Sequence, residues 1–178
     1  MSRGICVYLG ARAGQGEQWA DAAVIAGRTI AERGCDVIYG GGRLGLMGKL
    51  ADSALSAGGR VVGVIPKKLI ALEQAHPNLH EQFIVESMHE RKAKLTELAD
   101  AFLVLPGGFG TLDELFEAIT WRQLEFHTKP IAIWNVEGYY DELWAFLEQG
   151  RRLGFMPETT FESIHFGRDL ASLLDQMC

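Results

Sequence analysis

The chain has 178 residues, a length that suits one domain able to bury a core without metals or disulfides. Hydrophobic residues make up 48% and charged residues 22%, an ordinary balance for a globular protein. The net charge of −6 argues against nucleic acid as a partner, because duplex binding depends on basic surface, but a small anionic ligand needs only a local positive site.

Cysteine usage and hydropathy indicate the compartment. The three cysteines, Cys6, Cys35 and Cys178, are odd in number and have no metal-ligand or CxxC spacing, so we expect reduced, buried thiols. Glycine and polar residues from Gly10 to Gln18 interrupt the first apolar run, and no stretch approaches the roughly 18 apolar residues of a membrane span. We therefore expect a cytoplasmic location and no membrane partner.

Short apolar runs alternate along the chain with longer amphipathic ones. The runs predict strands at residues 5–9, 37–39, 61–65, 83–85, 101–105 and 131–134, with a short edge strand at 161–164. Helical spacing of apolar residues predicts helices at 17–33, 46–57, 88–98, 111–124, 139–150 and 169–177. Residues 67–80 are the least regular and are predicted to form a loop with one helical turn.

This alternation predicts an α/β fold. Nearly continuous apolar strands indicate a parallel sheet covered by helices on both faces, and right-handed crossovers make it doubly wound and Rossmann-like. With no linker or repeat, residues 1–178 are expected to form a single nucleotide-binding domain. Ligands of such sheets bind at the carboxyl ends of the strands, where glycine-rich loops follow Leu9, Tyr39 and Leu105.

The loop after Leu105 is the strongest local signal. It reads Pro106-Gly107-Gly108-Phe109-Gly110-Thr111 and leads from a strand into a helix. Glycines allow backbone N–H groups to point at one spot, and a helix start adds its positive dipole end, so the loop predicts an anion site suited to phosphate. The alternative is a tight turn without a ligand.

Two helix starts carry charged residues with two interpretations each. Thr111 and Glu114 match a capping box, so Glu114 either caps its helix or faces a bound sugar, and spacing leaves both open. Ser87 and Glu90 match a second capping box, followed by Arg91 and Lys92, cations that the helix dipole disfavours there. They are either a solvated charge cluster or part of a site at the same sheet edge.

A third motif is weaker. Gly40-Gly41-Gly42-Arg43-Leu44-Gly45 fits the GxGxxG pattern after a strand, which is typical of dinucleotide binding. It follows the second strand, and the acidic residue expected about 20 positions later is absent. Loop packing or a share in a mononucleotide site is therefore favoured over NAD binding. The five histidines show no metal-ligand spacing, so no metal is expected.

Several segments together resemble the "lonely guy" (LOG) family of cytokinin-activating proteins. The resemblance extends from about Val7 to about Phe155. It is carried by Tyr39-Gly40-Gly41-Gly42 with Gly45-Leu46-Met47-Gly48, Met88-His89-Glu90-Arg91-Lys92, Pro106 through Glu114, Ile119-Thr120-Trp121, Lys129-Pro130, and Asn135-Val136-Glu137-Gly138-Tyr139-Tyr140.

The resemblance implies a Rossmann-like homodimer that hydrolyses the N-glycosidic bond of AMP or its N6-prenylated form to free base and ribose 5-phosphate, without a cofactor. It implies Arg91 and Glu114 as the catalytic pair. The candidate substrate-binding residues are Met88, Lys92, Gly107, Gly108, Phe109, Gly110, Thr111, Leu112, Asp113, Thr120, Gly41 and Gly42. Relatives often carry the label "lysine decarboxylase", but the chain is short for a pyridoxal phosphate enzyme and shows no Schiff-base lysine context.

Two rival functions are set against this expectation. The first is a nucleotide-binding module without catalysis, in which Glu114 only caps its helix. The second is an NAD-type oxidoreductase that uses the segment from Gly40 to Gly45. Base release separates the expected enzyme from the first rival, and NAD(H) binding separates it from the second.

Overall fold

The computed structural model describes residues 2–177 and contains one seven-stranded parallel sheet. The spatial order of its strands is β4-β3-β2-β1-β5-β6-β7. The strands are β1 Gly4–Tyr8, β2 Asp36–Tyr39, β3 Val61–Pro66, β4 Glu81–Val85, β5 Ala101–Val104, β6 Ile131–Trp134 and β7 Ile164–Gly167. The predicted α/β sheet is confirmed, and the predicted edge strand is shifted toward the carboxyl terminus.

Helices cover both faces of the sheet. They are α1 Gln18–Glu32, α2 Gly45–Ser56, α3 Met88–Leu98, α4 Phe109–Gln123, α5 Asp141–Arg152, α6 Glu158–Glu162 and α7 Leu170–Asp175. The short α6 was not predicted, because five residues are too few to show helical periodicity. The irregular segment forms a 3-10 turn at Lys67–Leu69 and a π-helical turn at Ile70–Gln74.

Alternating side chains of the strands build two cores. Ile5 and Val7 of β1 pack with α1, α2 and α7 on one face, whereas Cys6 and Tyr8 pack with α3, α4 and α5 on the other. Every residue of β1 is buried, which explains why the strand is apolar throughout rather than alternating in polarity. Cys6 and Cys35 are buried as expected, and Cys178 lies outside the described residues.

The strand order places the site. From β1 the chain builds outward through β2, β3 and β4, then returns to the other side of β1 with β5. This reversal opens a crevice between the loops after β1 and β5, the usual ligand position in a doubly wound sheet. Among residues 2–177, no helix has the length and apolar character needed to cross a membrane.

Candidate active site

A cavity of about 640 Å³ opens at the carboxyl edge of the sheet. The loops after β1, β2 and β5 form its walls, together with the start of α3 and the π-helical turn. Its lining residues are Val7, Leu9, Gly10, Ala11, Arg12, Ala13, Gly14, Trp19, Gly40, Leu46, Met47, Glu73, Met88, Arg91, Pro106, Gly107, Gly108, Phe109, Gly110, Thr111, Glu114 and Tyr139. The cavity therefore contains both members of the expected catalytic pair.

Helix α4 begins three residues earlier than its capping signal predicts. Gly108 is the N-cap, no side chain caps the helix, and Thr111 is already its third residue. A Cβ on Gly107 would lie 2.1 Å from Thr111 Oγ1, so the absent side chain lets the threonine pack under the loop. The capping-box interpretation of Thr111 and Glu114 is therefore wrong, because the glycine-rich backbone turns into the helix before the threonine.

Two glycines at the start of α4, Gly108 and Gly110, leave backbone open to the cavity. A Cβ added at Gly108 or Gly110 would meet no atom within 4 Å, so packing of the protein itself does not require glycine at these positions. The first amide groups of a helix have no partner within the helix and carry the positive end of its dipole. This turn is thus suited to an anion.

Helix α3 is capped largely as predicted. The Ser87 side chain accepts a hydrogen bond from the Glu90 amide at 3.1 Å. The Glu90 carboxylate accepts from the Glu86 amide at 2.9 Å, one residue before the position that a capping box predicts. The cap fixes the first turn of α3 and so places Arg91, the fourth residue of the helix, toward the sheet.

Arg91 is buried rather than solvated, with 5% of its surface exposed. Its Nε donates to the Val64 carbonyl at 3.1 Å, and its Nη2 donates to the Gly40 carbonyl at 2.9 Å and to Glu73 Oε2 at 3.2 Å. A Cβ on Gly40 would lie 2.1 Å from Arg91 Nη2. The first glycine after β2 therefore makes room for the guanidinium, which three acceptors hold at the cavity wall.

Glu114 reaches the cavity from α4, where it is partly buried. Burial raises the pKa of its carboxyl group from 4.5 to about 7; the positive charge of Arg91 opposes this shift, and the negative charge of Glu73 adds to it. A carboxyl group that titrates near neutral pH can exchange protons during a reaction, so Glu114 is chemically suited to act as a base.

Glu73 was missed by the sequence analysis. It lies on the irregular π-helical turn, where the Arg43 amide donates to its carbonyl at 3.1 Å. Its carboxylate pairs with Arg91 across 18 sequence positions. No local sequence pattern predicts such a contact, because the two charges meet only when the loop that carries Glu73 folds over the carboxyl end of β2.

Two aromatic residues that sequence reasoning did not assign to the site also line the cavity. The Tyr139 hydroxyl donates to the Gly107 carbonyl at 2.6 Å, which ties the segment before α5 to the glycine-rich loop. The Trp19 ring packs edge-on against Tyr139, with ring centroids 5.6 Å apart. The pair fixes the wall opposite the start of α3.

Lys92 points away from the cavity, although it is adjacent to Arg91. Its Nζ lies 3.1 Å from Asp113 Oδ2 and 2.6 Å from Glu117 Oε2 on α4. The three side chains join α3 to α4 behind the expected catalytic pair. Neither Lys92 nor Asp113 lines the cavity, so their contact with substrate stays a prediction.

Four further candidates also lie outside the cavity lining. Gly41 has a positive φ of 75°, and its carbonyl accepts from the His76 amide and from Gln82 Nε2. Gly42 packs between Met47 and Glu73. Thr120 is exposed, and its hydroxyl donates to the Phe116 carbonyl at 2.7 Å. Leu112 is partly buried and packs against the core on the sheet face that α3, α4 and α5 cover. A role for these four residues in substrate binding stays a prediction.

The fold and the site together define a Rossmann-like protein with a cavity at the carboxyl edge of its sheet, where Glu114 and the Glu73-paired Arg91 both line the wall. Residues 2–177 contain no group of three or more His, Cys, Asp or Glu side chains that could hold a metal ion. The side chains and backbone at the cavity supply two guanidinium groups, two carboxyl groups, a phenol hydroxyl and backbone amides.

Comparisons with known proteins agree with this description. A family model described as "Possible lysine decarboxylase" matches residues 47–177. A probable cytokinin riboside 5′-monophosphate phosphoribohydrolase of Oryza sativa subsp. japonica is 42% identical over 98% of this chain and 77% of its own length. The cytokinin riboside 5′-monophosphate phosphoribohydrolase LOG of the same species is 46% identical over 88% of this chain and 64% of its own length. The chain belongs to the LOG family of phosphoribohydrolases.

Solved structures show the same fold at lower identity. The molybdenum cofactor binding protein of Rippkaea orientalis has a TM-score of 0.75 and 19% identity, covering 99% of this chain and 95% of that one. The molybdenum cofactor carrier protein of Chlamydomonas reinhardtii has a TM-score of 0.70 and 19% identity, covering 99% and 96%. At this identity the likeness concerns the fold alone.

Proposed function

We propose that the chain hydrolyses the N-glycosidic bond of AMP or of N6-modified adenosine 5′-monophosphates and releases free base and ribose 5-phosphate. The observation that carries the proposal is Glu114, a carboxyl group with a pKa of about 7 in the same cavity as Arg91 and the first turn of α4. A general base near neutral pH beside an anion site fits a phosphorylated sugar. The names of the relatives point to the same class of substrate.

In the proposed reaction, the phosphate binds at Gly107, Gly108, Phe109, Gly110 and Thr111, whose amides and helix dipole attract anions. The sugar carbon C1′ then lies near Glu114. Cleavage passes through an oxocarbenium-like transition state, whose positive charge the Glu114 carboxylate stabilises.

Water completes the reaction at C1′. Glu114 orients a water molecule and takes one of its protons as the C1′–O bond forms and the C1′–N bond breaks. The departing base keeps the electrons of the broken bond and takes a proton from solvent, while Glu114 returns the proton that it took to solvent, so nucleotide and water give neutral base and ribose 5-phosphate. Arg91 contacts the phosphate, the ribose or the departing base, and its two backbone acceptors fix its position whichever of these it meets.

The decarboxylase label of the family model finds no support in the cavity. No lysine is found among the described residues that line it. Lys92, the nearest in sequence to the catalytic pair, is tied to Asp113 and Glu117. Schiff-base chemistry needs a lysine amine that reaches the substrate, so hydrolysis is the better supported function.

The decisive experiment incubates the protein with a panel of 5′-mononucleotides, including AMP and N6-isopentenyl-AMP, and detects free base by chromatography. Glu114→Gln, which keeps the shape of the side chain, is expected to abolish base release while the unfolding temperature stays close to or above that of the wild type. Glu162→Gln, on exposed α6, is the matched control. Near-normal turnover by Glu114→Gln would contradict the assignment, and AMP binding without base release would favour a non-catalytic nucleotide-binding module.

We also propose that the protein is a homodimer, as the family resemblance implies. Helix α4 and its C-cap residue expose three large apolar side chains, Phe109, Phe116 and Leu124, which are 92%, 36% and 56% exposed. Apolar faces of this kind often mark interfaces. Light scattering of the wild type and Phe116→Asp tests this: a dimer that becomes a monomer in the variant supports the face, and a monomeric wild type contradicts the proposal.

A further inference from the structure

The two arginines that line the cavity, Arg12 and Arg91, differ in whether a carboxylate already neutralises their charge. Its ionisable side chains are those of Arg12, Glu73, Arg91, Glu114 and Tyr139. The guanidinium of Arg91 is already paired with Glu73 at 3.2 Å. A phosphate dianion that meets this pair faces a carboxylate beside the guanidinium, so Arg91 offers less net attraction than an unpaired cation does.

Arg12 differs from Arg91 in both exposure and pairing. It lies on the loop after β1, is exposed, and lines the cavity. Among residues 2–177 its side chain forms no ion pair or hydrogen bond. Lys92, the next cation behind the wall, is held by two carboxylates and does not line the cavity. Arg12 is therefore the cation at the cavity that is available to pair with a negatively charged ligand.

Packing holds the backbone around Arg12 against the glycine-rich loop. The Gly10 amide donates to the Pro106 carbonyl at 3.1 Å, and a Cβ on Gly10 would lie 3.3 Å from the Gly107 Cα. On the other side, a Cβ on Gly45 would lie 2.1 Å from the Ala11 carbonyl oxygen. The loop after β1 is thus wedged between the start of α2 and the loop after β5, which holds the Arg12 backbone at the wall of the cavity that the first turn of α4 also lines.

We propose that Arg12 supplies the charge that recognises the 5′-phosphate of the substrate, while the Glu73-paired Arg91 serves the reacting end. This inference rests on the proposed function and deepens it, because it names the cation that makes the site prefer a nucleotide over a nucleoside. Amides of α4 give the phosphate its position, and Arg12 gives it an opposite charge. Arg12 is a specificity-determining residue in this scheme and takes no proton.

The test compares the wild type, Arg12→Ala, Arg12→Lys and Arg43→Ala. Arg43 is the matched control because it is an exposed arginine at the same sheet edge that does not line the cavity. Steady-state kinetics are measured with AMP and with adenosine, and calorimetry measures binding of ribose 5-phosphate. A charge-assisted hydrogen bond at an exposed position is expected to contribute about a tenfold factor in affinity.

The expected result is an increase of about tenfold in KM for AMP and in Kd for ribose 5-phosphate in Arg12→Ala, with kcat and adenosine turnover within about threefold of the wild type. Added salt should weaken binding to the wild type more than to Arg12→Ala, and Arg12→Lys should recover part of the affinity. Equal KM and Kd values in Arg12→Ala and Arg43→Ala would overturn the inference.

The same measurements test the proposed hydrolysis independently of the role of Arg12. Ribose 5-phosphate binding that depends on Arg12, in a protein that releases no base, supports the phosphate role of Arg12 and contradicts hydrolysis. Base release from AMP with unchanged KM in Arg12→Ala supports hydrolysis and contradicts the role of Arg12. A wild type that neither binds ribose 5-phosphate nor releases base contradicts both.

Discussion

Replacing Glu114 with glutamine is expected to stabilise the protein at alkaline pH even though it removes the proposed base. The native pKa of the carboxyl group is raised from 4.5 to about 7, mainly by burial. Between these two values the native state holds a proton that the unfolded state releases, so stability falls as the pH rises. Above about pH 7 the buried carboxylate is charged in the native state, and its desolvation lowers the free energy of unfolding by the full amount.

The size of this effect follows from the raised pKa. At about 1.4 kcal/mol for each pH unit, the interval from 4.5 to about 7 corresponds to roughly 3 kcal/mol. Because the side chain is partly exposed, solvent screening reduces the expected gain of Glu114→Gln to about 2 kcal/mol above pH 8. The gain should vanish near pH 4.5, where both states of the wild type are largely protonated.

Urea unfolding at fixed protein concentration, from pH 4.5 to pH 9, measures this gain. The quantity to compare is the difference in unfolding free energy between Glu114→Gln and the wild type, because other titrating groups cancel in it. Glu162→Gln serves as control, since that glutamate is exposed. A stability difference that stays constant across the pH range would refute the burial argument for Glu114.

Three further predictions concern the same cavity. First, kcat/KM of the wild type is expected to fall as the pH drops through about 7, because the charged form of Glu114 is the proposed base; a profile that stays flat down to pH 5 would contradict this. Second, Glu73→Gln removes a negative charge that raises the pKa of Glu114, so the midpoint of that profile should move to lower pH; an unchanged midpoint would show that Glu73 does not act on Glu114. Third, Gly110→Ala should keep or raise the unfolding temperature, since its Cβ meets nothing within 4 Å, but raise KM by intruding on the cavity. Gly40→Ala should lower both stability and activity because its Cβ would lie 2.1 Å from Arg91 Nη2, and equal effects of the two alanine variants would contradict the separate roles.

The sequence alone determined the architecture and the edge at which the site lies. Fully buried strands are continuous apolar runs in the sequence, and the glycine-rich loops after Leu9, Tyr39 and Leu105 indicate the carboxyl edge of the sheet. These signals are local: a strand, a turn and a helix start each depend on neighbouring residues. The bounds of α3 and β6 were predicted to the residue for the same reason.

The proposed catalytic pair could be predicted only in part from local sequence patterns. Spacing left Glu114 undecided between cap and base, and the family resemblance supplied its pairing with Arg91. The structure excludes the capping role, because the N-cap of α4 is Gly108 rather than Thr111. Glycine imposes no fixed turn geometry on the chain, so the start of the helix could not be read from residue types alone.

Other features depended on tertiary structure alone. Three contacts join segments that are distant in sequence: the ion pair of Glu73 with Arg91, the hydrogen bond from Tyr139 to Gly107, and the ion pair of Lys92 with Asp113. Sequence gave these residues their charges and hydroxyls but not their partners. The packing of loops and helices over the sheet edge decides which cation is paired and which one faces the cavity. The physical reason is that Coulomb energies and burial depend on distances between atoms, and these distances exist only in the folded chain.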